Sequence, residues 1–236
     1  MNGALAAEPL LLDLGPFVKS AGFAVVDHDA IIAELAALAV QGMPGRAVPK
    51  RRAEFLAGRF AAKQALLALG VDGVPSRNED GSPSWPAAVS GSITHGAARA
   101  LCAVARTAQV RSLGIDAERL MNESVSAELR ARICFAEERA LLTRQLQRPE
   151  HHAVTFAFSA KESLYKCLFP LIGTFMEFHA ARVVDVVSEV HQELLYGELQ
   201  LQLCVDWSAE FRRGRMFHAQ FVASRDHVES AVVLRA

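Results

Sequence analysis

Two acidic residues in the segment GIDAE, Asp116 and Glu118, are separated by a single residue. Successive side chains of an extended strand point to opposite faces, so residues two apart point to the same side. Two carboxylates on one side repel each other unless a cation or a basic group lies between them. Mg²⁺ takes oxygen ligands and often bridges carboxylates to substrate phosphates, which makes this segment a candidate magnesium site. A strand exit whose carboxylates face water is the alternative that the spacing leaves open.

The segment FSAKESLYK, residues 158–166, carries a third carboxylate, Glu162, and two lysines, Lys161 and Lys166. If a helix begins at Ser159, then Ser159 and Glu162 form a capping box, and Glu162 and Lys166 have the spacing of a surface ion pair. The same helix start favours a bound anion, to which the two lysines would add positive charge. The local pattern is therefore compatible with a structural turn and with part of an active site.

Basic and polar residues upstream provide candidate phosphate contacts. The segment KRRAEFLAGR contains Arg51, Arg52 and Arg59, and helical spacing places Arg52 and Arg59 on one face with Arg51 beside it. Arginine clusters can bind a phosphate bidentately, although a solvated helix face is the common structural use of such a run. In SGSITH, Ser92, Thr94 and His95 lie at a predicted strand end and could donate hydrogen bonds to a phosphate, although a lone histidine in a loop is more often structural or solvated.

Composition limits the classes of function that are open to the chain. It has 236 residues and a formal net charge of −1, so bulk charge does not favour a polyanion partner, and we expect no nucleic-acid binding. Four widely spaced cysteines form no C-x-x-C pair and are read as reduced thiols of a cytosolic protein: Cys102, Cys134, Cys167 and Cys204. The first residues lack a basic n-region, and no apolar run reaches membrane-spanning length. We expect a cytoplasmic protein with no membrane partner.

Helical and strand patterns alternate along the whole chain, which predicts an α+β class. Helices are predicted after a cap at Asp29, and over residues 50–70, 126–146 and 153–169; strands are predicted over 21–28, 88–94, 100–106 and from Ser112. The last sixty residues contain segments with β-branched or alternating residues that indicate an antiparallel sheet. We expect two domains, residues 1–109 and 110–236.

The order and separation of GIDAE and FSAKESLYK resemble the paired signature of the 4′-phosphopantetheinyl transferases. The upstream segments KRRAEFLAGR and WPAAVSGSITH extend the resemblance to the branch that includes enterobactin-type and broad-specificity bacterial enzymes. The resemblance covers roughly residues 50–178. It implies a pseudo-dimer of two similar α+β halves, with coenzyme A in the cleft between them and Mg²⁺, or alternatively Mn²⁺, at the site.

By this resemblance, the protein transfers the phosphopantetheine arm of coenzyme A to a serine hydroxyl of an apo acyl or peptidyl carrier protein and releases 3′,5′-ADP. The implied roles are distributed over three groups of residues. The implied metal ligands are Asp116, Glu118 and Glu162. The implied catalytic residues are Glu162, which takes the serine proton, and Lys166, which stabilises the reacting pyrophosphate. The implied coenzyme A contacts are Arg51, Arg59, Thr94, His95, Lys161 and Lys166.

Two departures from the family pattern limit what the resemblance implies. Some relatives have a lysine or arginine in the loop before the W-P dipeptide, whereas this chain has NEDGSP, so one coenzyme A contact is expected to be missing. Ala117, between the two acidic residues, cannot ligate a metal through its side chain. A non-catalytic coenzyme A or carrier-binding module, and another Mg²⁺-dependent enzyme acting on a nucleotide, are the alternatives. The natural carrier and its pathway are left open, and a monomer is expected by resemblance.

Overall fold

The computed structural model describes residues 5–38 and 47–236, and its mixed helices and strands confirm the predicted α+β class. The chain forms two compact units. The first unit contains the residues up to Leu113 together with Leu234–Ala236, and the second contains Gly114–Val233. The expected domain boundary after residue 109 and the expected pseudo-dimer both stay predictions.

A three-stranded antiparallel sheet and a long helix form the first unit. Its elements are β1 (Val18–Ala24), α1 (His28–Glu34), α2 (Pro49–Ala68), β2 (Ser76–Arg77), β3 (Pro83–Ser84), β4 (Val89–Gly96) and β5 (Arg99–Arg106). The sheet order is β1-β5-β4, and β2 pairs with β3 in a separate hairpin. Helix α2 begins with Pro49, which suits a first helical position because its missing N–H has no intrahelical partner there. Its buried face is rich in alanine, which allows close packing on the sheet.

Two sequence-based boundaries in the first unit are wrong. Strand β1 begins at Val18 and ends at Ala24, so it lies earlier in the chain than predicted. The cap of α1 is Asp27, whose carboxylate accepts a hydrogen bond from the Ala30 N–H at 3.0 Å, and Asp29 instead lies in the first turn. Aspartate is common both at the cap and in the first turn of a helix. Only Asp27 has the extended backbone that lets its carboxylate accept a hydrogen bond from the N–H three residues later.

The second unit combines three helices with an antiparallel sheet. Strand β6 (Val110–Arg119) enters this unit at Gly114, and the further elements are α3 (Glu123–Ile133), α4 (Ala136–Leu146), α5 (Glu150–Ile172), β7 (Ala181–His191), β8 (Leu194–Leu203), β9 (Met216–Ala223) and β10 (His227–Arg235). The strand order is β6-β10-β9-β8-β7, and the consecutive strands β7 to β10 pair antiparallel. The antiparallel sheet predicted for the last sixty residues is thereby confirmed.

Helix α5 is longer than its sequence pattern indicated. It runs over Glu150–Ile172, and Gly173 after it has a left-handed backbone and closes the helix by donating its N–H to the Phe169 carbonyl oxygen. Ser159 therefore lies inside the helix and does not cap it, so the predicted capping box is wrong. The single helical stretch expected over residues 126–146 is instead two helices, separated at Cys134 and Phe135.

The cysteines are free thiols, as expected, and all but Cys204 are buried. Within the described ranges, every helix is too short or too polar to cross a bilayer.

Candidate active site

Strand β6 and helix α5 bring the two sequence motifs together in the second unit. The ammonium Nζ of Lys166 lies 2.6 Å from Oδ1 of Asp116, across fifty positions of sequence. The Asp116 side chain is 2% exposed, whereas the Lys166 side chain is 25% exposed. The buried carboxylate thus holds a lysine whose charge still reaches solvent.

Glu118 and Glu162 lie within electrostatic reach of this ion pair. Burial, and next the charge of Asp116, raise the pKa of Glu118 to about 8, while Lys166 opposes the rise. Burial also raises the pKa of Glu162, which Lys166 lowers and Asp116 raises. The three carboxylates therefore interact unfavourably with one another, as expected of acidic groups that share one partly buried region.

The donor chemistry of this region fits a hard divalent cation, because all three acidic side chains offer oxygen and the charge of Asp116 raises the pKa of both Glu118 and Glu162. Within residues 5–38 and 47–236, however, no three His, Cys, Asp or Glu side chains lie in an arrangement that could hold a metal ion as they stand. The fit therefore rests on the chemistry of the donors and on their mutual repulsion, and the ligand roles of Asp116, Glu118 and Glu162 stay predictions.

Gly114 sets the distance between β6 and α5. A Cβ at this position would overlap the Ser163 carbonyl oxygen and would lie 2.5 Å from the Cys167 nitrogen and 3.0 Å from the Lys166 Cβ. Only a residue without a side chain allows the strand backbone to touch the helix backbone here. Asp116 lies two residues further along the same strand, so this close contact brings its carboxylate within reach of Lys166.

Two serines of α5 fix the helix on β10. The Ser159 hydroxyl lies 2.8 Å and the Ser163 hydroxyl 2.7 Å from the Ser230 hydroxyl, and Ser163 also donates to the Ser230 carbonyl oxygen at 3.1 Å. All three side chains are fully buried. Ser159 and Ser163 are four residues apart and therefore lie on one helix face, which is the face that packs against the sheet.

Lys161 occupies a different environment from the one predicted for it. Its side chain is 1% exposed, and its ammonium donates to the Ile133 carbonyl oxygen at 2.7 Å and contacts both oxygens of Glu138 at 2.9 and 3.0 Å. The Glu138 carboxylate also accepts bonds from the N–H groups of Phe135 and Val183 at 2.7 Å. The pair joins α5 to α4, to the end of α3 and to β7, so Lys161 is a structural cation in this arrangement and not a surface-facing one.

The predicted phosphate contacts Arg51 and Arg59 both lie on α2 in the first unit, in different environments. Arg51 is exposed and forms an ion pair with Glu54 at 3.5 Å. Arg59 is 4% exposed, stacks over the Phe55 ring at 4.8 Å from its centroid, and donates to the Ser76 carbonyl oxygen at 3.3 Å. Burial lowers the pKa of Arg59 to about 10.

Thr94 and His95 lie near the end of β4, where Thr94 is buried and His95 is half-buried. Helix α2 approaches His95 at Gly58, the neighbour of Arg59. A Cβ at residue 58 would overlap Nε2 of His95 and would lie 2.9 Å from the Ile93 side chain. The first unit therefore brings the histidine of SGSITH against the helix that carries the predicted arginines.

Sequence reasoning missed Gly114, Glu138 and Ser230. A glycine inside an apolar strand pattern signals close backbone approach, and this signal could have identified Gly114. Glu138 stands in the acidic first turn of a helix, where exposed glutamates are common. No pattern near Ser230 distinguishes it from any other serine in a strand.

Comparison with known proteins agrees with the resemblance carried by the motifs. A model of the 4′-phosphopantetheinyl transferase N-terminal domain matches residues 39–105, and a model of the 4′-phosphopantetheinyl transferase superfamily matches residues 112–219. These two matches together include every predicted site residue and part of each unit.

Curated relatives carry names from the same family. Enterobactin synthase component D of Salmonella typhimurium is 40% identical over 139 residues, which is 59% of this chain and 57% of the relative. The 4′-phosphopantetheinyl transferase Svp of Streptomyces mobaraensis is 41% identical over 142 residues, 58% of this chain and 56% of the relative. The 4′-phosphopantetheinyl transferase Npt of Nocardia iowensis is 30% identical over 161 residues, 68% of this chain and 71% of the relative. In the first two, the match spans little more than half of the relative's length.

The mixed helices and strands, with Lys166 held against Asp116, agree with the α+β fold of the phosphopantetheinyl transferases. With both domain models matched, this chain belongs to the 4′-phosphopantetheinyl transferase superfamily.

Proposed function

We propose that the protein transfers the 4′-phosphopantetheine group of coenzyme A to a serine hydroxyl of an apo acyl or peptidyl carrier protein. The serine oxygen forms a bond to the β-phosphorus, the bond between that phosphorus and the bridging oxygen breaks, and 3′,5′-ADP leaves. The observation that carries this proposal is the contact between Lys166 and Asp116 beside Glu118 and Glu162. The family membership and the names of the relatives support it.

Each residue near this contact has a proposed role. Glu162 accepts the proton of the attacking serine, directly or through a water molecule, a contribution that typically gives about 10²- to 10⁴-fold in rate. Lys166 stabilises the charge that develops on the pyrophosphate oxygens as the bond to 3′,5′-ADP breaks. Asp116 orients the Lys166 ammonium through the 2.6 Å contact.

We also propose that Asp116, Glu118 and Glu162 hold Mg²⁺, with Mn²⁺ as an alternative. When bound, the ion neutralises these carboxylates and polarises the phosphate oxygens. The support is the unfavourable interaction among the three acidic groups, which a divalent cation would relieve. Omitting the metal and adding a chelator should abolish transfer; transfer at an unchanged rate would contradict the metal requirement.

Residues of the first unit are proposed to bind coenzyme A. They are Arg51, Arg59, Thr94 and His95. Arg59 supports this role best, because its buried guanidinium stacks on Phe55 and donates to a neutral carbonyl. Lys161, in the second unit, was also expected to contact coenzyme A. Its fully buried ion pair with Glu138 supports a structural role instead, and we do not assign it to coenzyme A.

Intact-protein mass spectrometry tests the activity directly. The protein is incubated with coenzyme A, Mg²⁺ and a panel of apo carriers from fatty-acid, polyketide and siderophore synthesis, and a carrier that gains one phosphopantetheine group is a substrate. The panel also selects the pathway, which the structure leaves open. Coenzyme A binding by calorimetry without any mass gain across the panel would favour a non-catalytic binding module instead.

We further propose that the protein acts in the cytoplasm as a monomer. The free thiols Cys102, Cys134, Cys167 and Cys204 support a reducing compartment. Light scattering after gel filtration measures the mass in solution, and the mass of a dimer would contradict the monomer.

A further inference from the structure

We propose that Arg77 is a further coenzyme A-binding residue, which binds a phosphate group of that molecule together with Arg59. This inference rests on the proposed function and deepens it. It concerns the first unit alone, in which the β2–β3 hairpin lies beside helix α2.

The first observation is that the charge of Arg59 is buried, while the contacts that the structure gives for it include no acidic group. Its Nη2 donates to the Ser76 carbonyl oxygen at 3.3 Å. Its Nε is buried and has no hydrogen-bond partner among the residues that the structure describes. The groups whose charges act on it are the Cys102 thiol and Arg77, not a carboxylate. A buried guanidinium in this state is stabilised when an anion supplies the missing acceptor.

Arg77 is the second observation. It follows Ser76 directly, its side chain is exposed, and its positive charge opposes that of Arg59. Its guanidinium folds back over the turn that joins β2 and β3, since a Cβ at Gly81 would lie 2.9 Å from Nη2 of Arg77. Gly81 has a φ of +90°, a conformation that glycine adopts readily, so the turn leaves room for this side chain.

Asp80, the acidic group in the turn whose charge acts on this guanidinium, does not explain its position. Asp80 interacts with Arg77 electrostatically, but it is exposed, and its Oδ1 accepts hydrogen bonds from the Ser82 N–H at 2.8 Å and the Ser82 hydroxyl at 2.6 Å. Those bonds shape the turn. The guanidiniums of Arg59 and Arg77 therefore remain two like charges in one neighbourhood, an arrangement that a shared phosphate makes favourable.

The proposal accounts for the sequence departure in this loop. The segment NEDGSP carries no lysine or arginine, but the residue immediately before it is Arg77. Because that side chain reaches back over Gly81, it brings a guanidinium to the turn in which the sequence itself lacks a basic residue. The contact expected to be missing from the loop is supplied from the end of strand β2.

Calorimetry with coenzyme A tests the inference without requiring turnover. Arg77→Gln should weaken coenzyme A binding about tenfold, or about 1.4 kcal/mol, through loss of a charge-assisted contact. The affinity of Arg77→Lys for coenzyme A should lie between those of the unmodified protein and Arg77→Gln, because lysine keeps the charge but not the planar guanidinium. Arg225→Gln is the matched control: it removes an exposed arginine of the second unit, paired with the exposed Glu193, and should bind like the unmodified protein.

Dephospho-coenzyme A identifies the phosphate. If Arg77 contacts the 3′-phosphate, Arg77→Gln and the unmodified protein should bind dephospho-coenzyme A equally. If it contacts the pyrophosphate, the variant should lose affinity for both ligands. Coenzyme A binding that is unchanged in Arg77→Gln, or absent in the unmodified protein, overturns the inference. Binding that weakens as expected while no carrier is modified overturns the transfer activity and leaves the role of Arg77 standing.

Discussion

The ammonium of Lys166 on α5 lies 2.6 Å from the carboxylate of Asp116 on β6. This contact joins the two motifs whose order along the chain carries the family resemblance. Because Asp116 is buried and Lys166 is partly exposed, the strand holds the lysine in position before any ligand arrives. A charge fixed in advance needs no rearrangement during reaction, which is the property that makes electrostatic stabilisation effective.

Removing the Lys166 charge should impair the chemical step more than binding. In Lys166→Met we expect kcat for transfer to fall about 10²- to 10³-fold, a loss typical of removing one positioned group that stabilises developing charge. Lys166→Arg should retain part of the rate, since it keeps the charge. Steady-state kinetics on a carrier that the unmodified protein accepts measures both, with exposed Lys19→Met as the control. Near-normal kcat in a folded Lys166→Met protein would remove Lys166 from the mechanism.

Substitution of Gly114 should separate β6 from α5. Gly114→Ala places a Cβ into the Ser163 carbonyl oxygen, and we expect the free energy of unfolding to fall by about 1–3 kcal/mol or more, as in overpacked cores. Transfer activity should fall as well, because Asp116 and Lys166 move apart. Urea denaturation should compare Gly114→Ala with Gly173→Ala. At Gly173 the space is open and only the φ of +70° opposes alanine, so the free energy of unfolding should fall by about 1 kcal/mol. Equal losses in the two variants would show that the close contact is not tight.

The Lys161–Glu138 pair should matter for stability far more than an exposed pair. Lys161→Met leaves the Glu138 carboxylate buried without its cation, and breaking a buried pair in this way typically destabilises by about 3–5 kcal/mol. Arg130→Met, which removes one partner of an exposed pair with Glu150, should lower the free energy of unfolding by at most about 1 kcal/mol. Denaturant titration measures both. A Lys161→Met protein as stable as Arg130→Met would mean that its ammonium is not the structural cation described above.

Thiol labelling of the native protein should modify one cysteine rapidly. Burial raises the pKa of the Cys134 thiol to about 12 and also raises that of Cys102, and Cys167 is fully buried, whereas Cys204 is partly exposed. At pH 8 a thiol of pKa 12 is ionised in only about one molecule in 10⁴, and the thiolate is the reactive form.

Reaction with a chromogenic disulfide should therefore give one fast equivalent in buffer and four in urea. Cys204→Ser should remove the fast phase. A second fast equivalent in the native protein would indicate that one of the interior thiols is accessible.

The residues that meet at the candidate site were easier to predict from the sequence than the contacts that position them. Strand spacing alone placed Asp116 and Glu118 on one side, because that inference needs only a local period. Their pairing with Glu162 and Lys166 came from the resemblance of the two motifs to a family signature. The α+β class followed from local periodicity. The antiparallel pairing of β7 to β10 could be predicted from alternating apolar and polar residues and from the short connections between the strands.

Contacts distant in sequence explain what the local patterns could not predict. Ser159 and Glu162 match a capping box, but the partner of Ser159 is Ser230, 71 residues later, and no local pattern encodes that distance. Lys161 was expected to contact a phosphate because of its charge, yet its partner Glu138 lies 23 residues earlier and is buried with it. A lysine in a helix becomes a ligand or a structural cation according to the element packed against it.

The three anchored positions of α5 also limit how its length can evolve. Ser159, Ser163 and Lys166 meet Ser230 and Asp116 on two different strands, and Gly114 presses against the same turn. One inserted residue between Ser159 and Lys166 would rotate everything after it by about 100° and advance it by about 1.5 Å. An insertion or deletion between Ser159 and Lys166 would therefore disrupt several of these contacts at once, so natural variation in the length of this helix should fall outside that stretch.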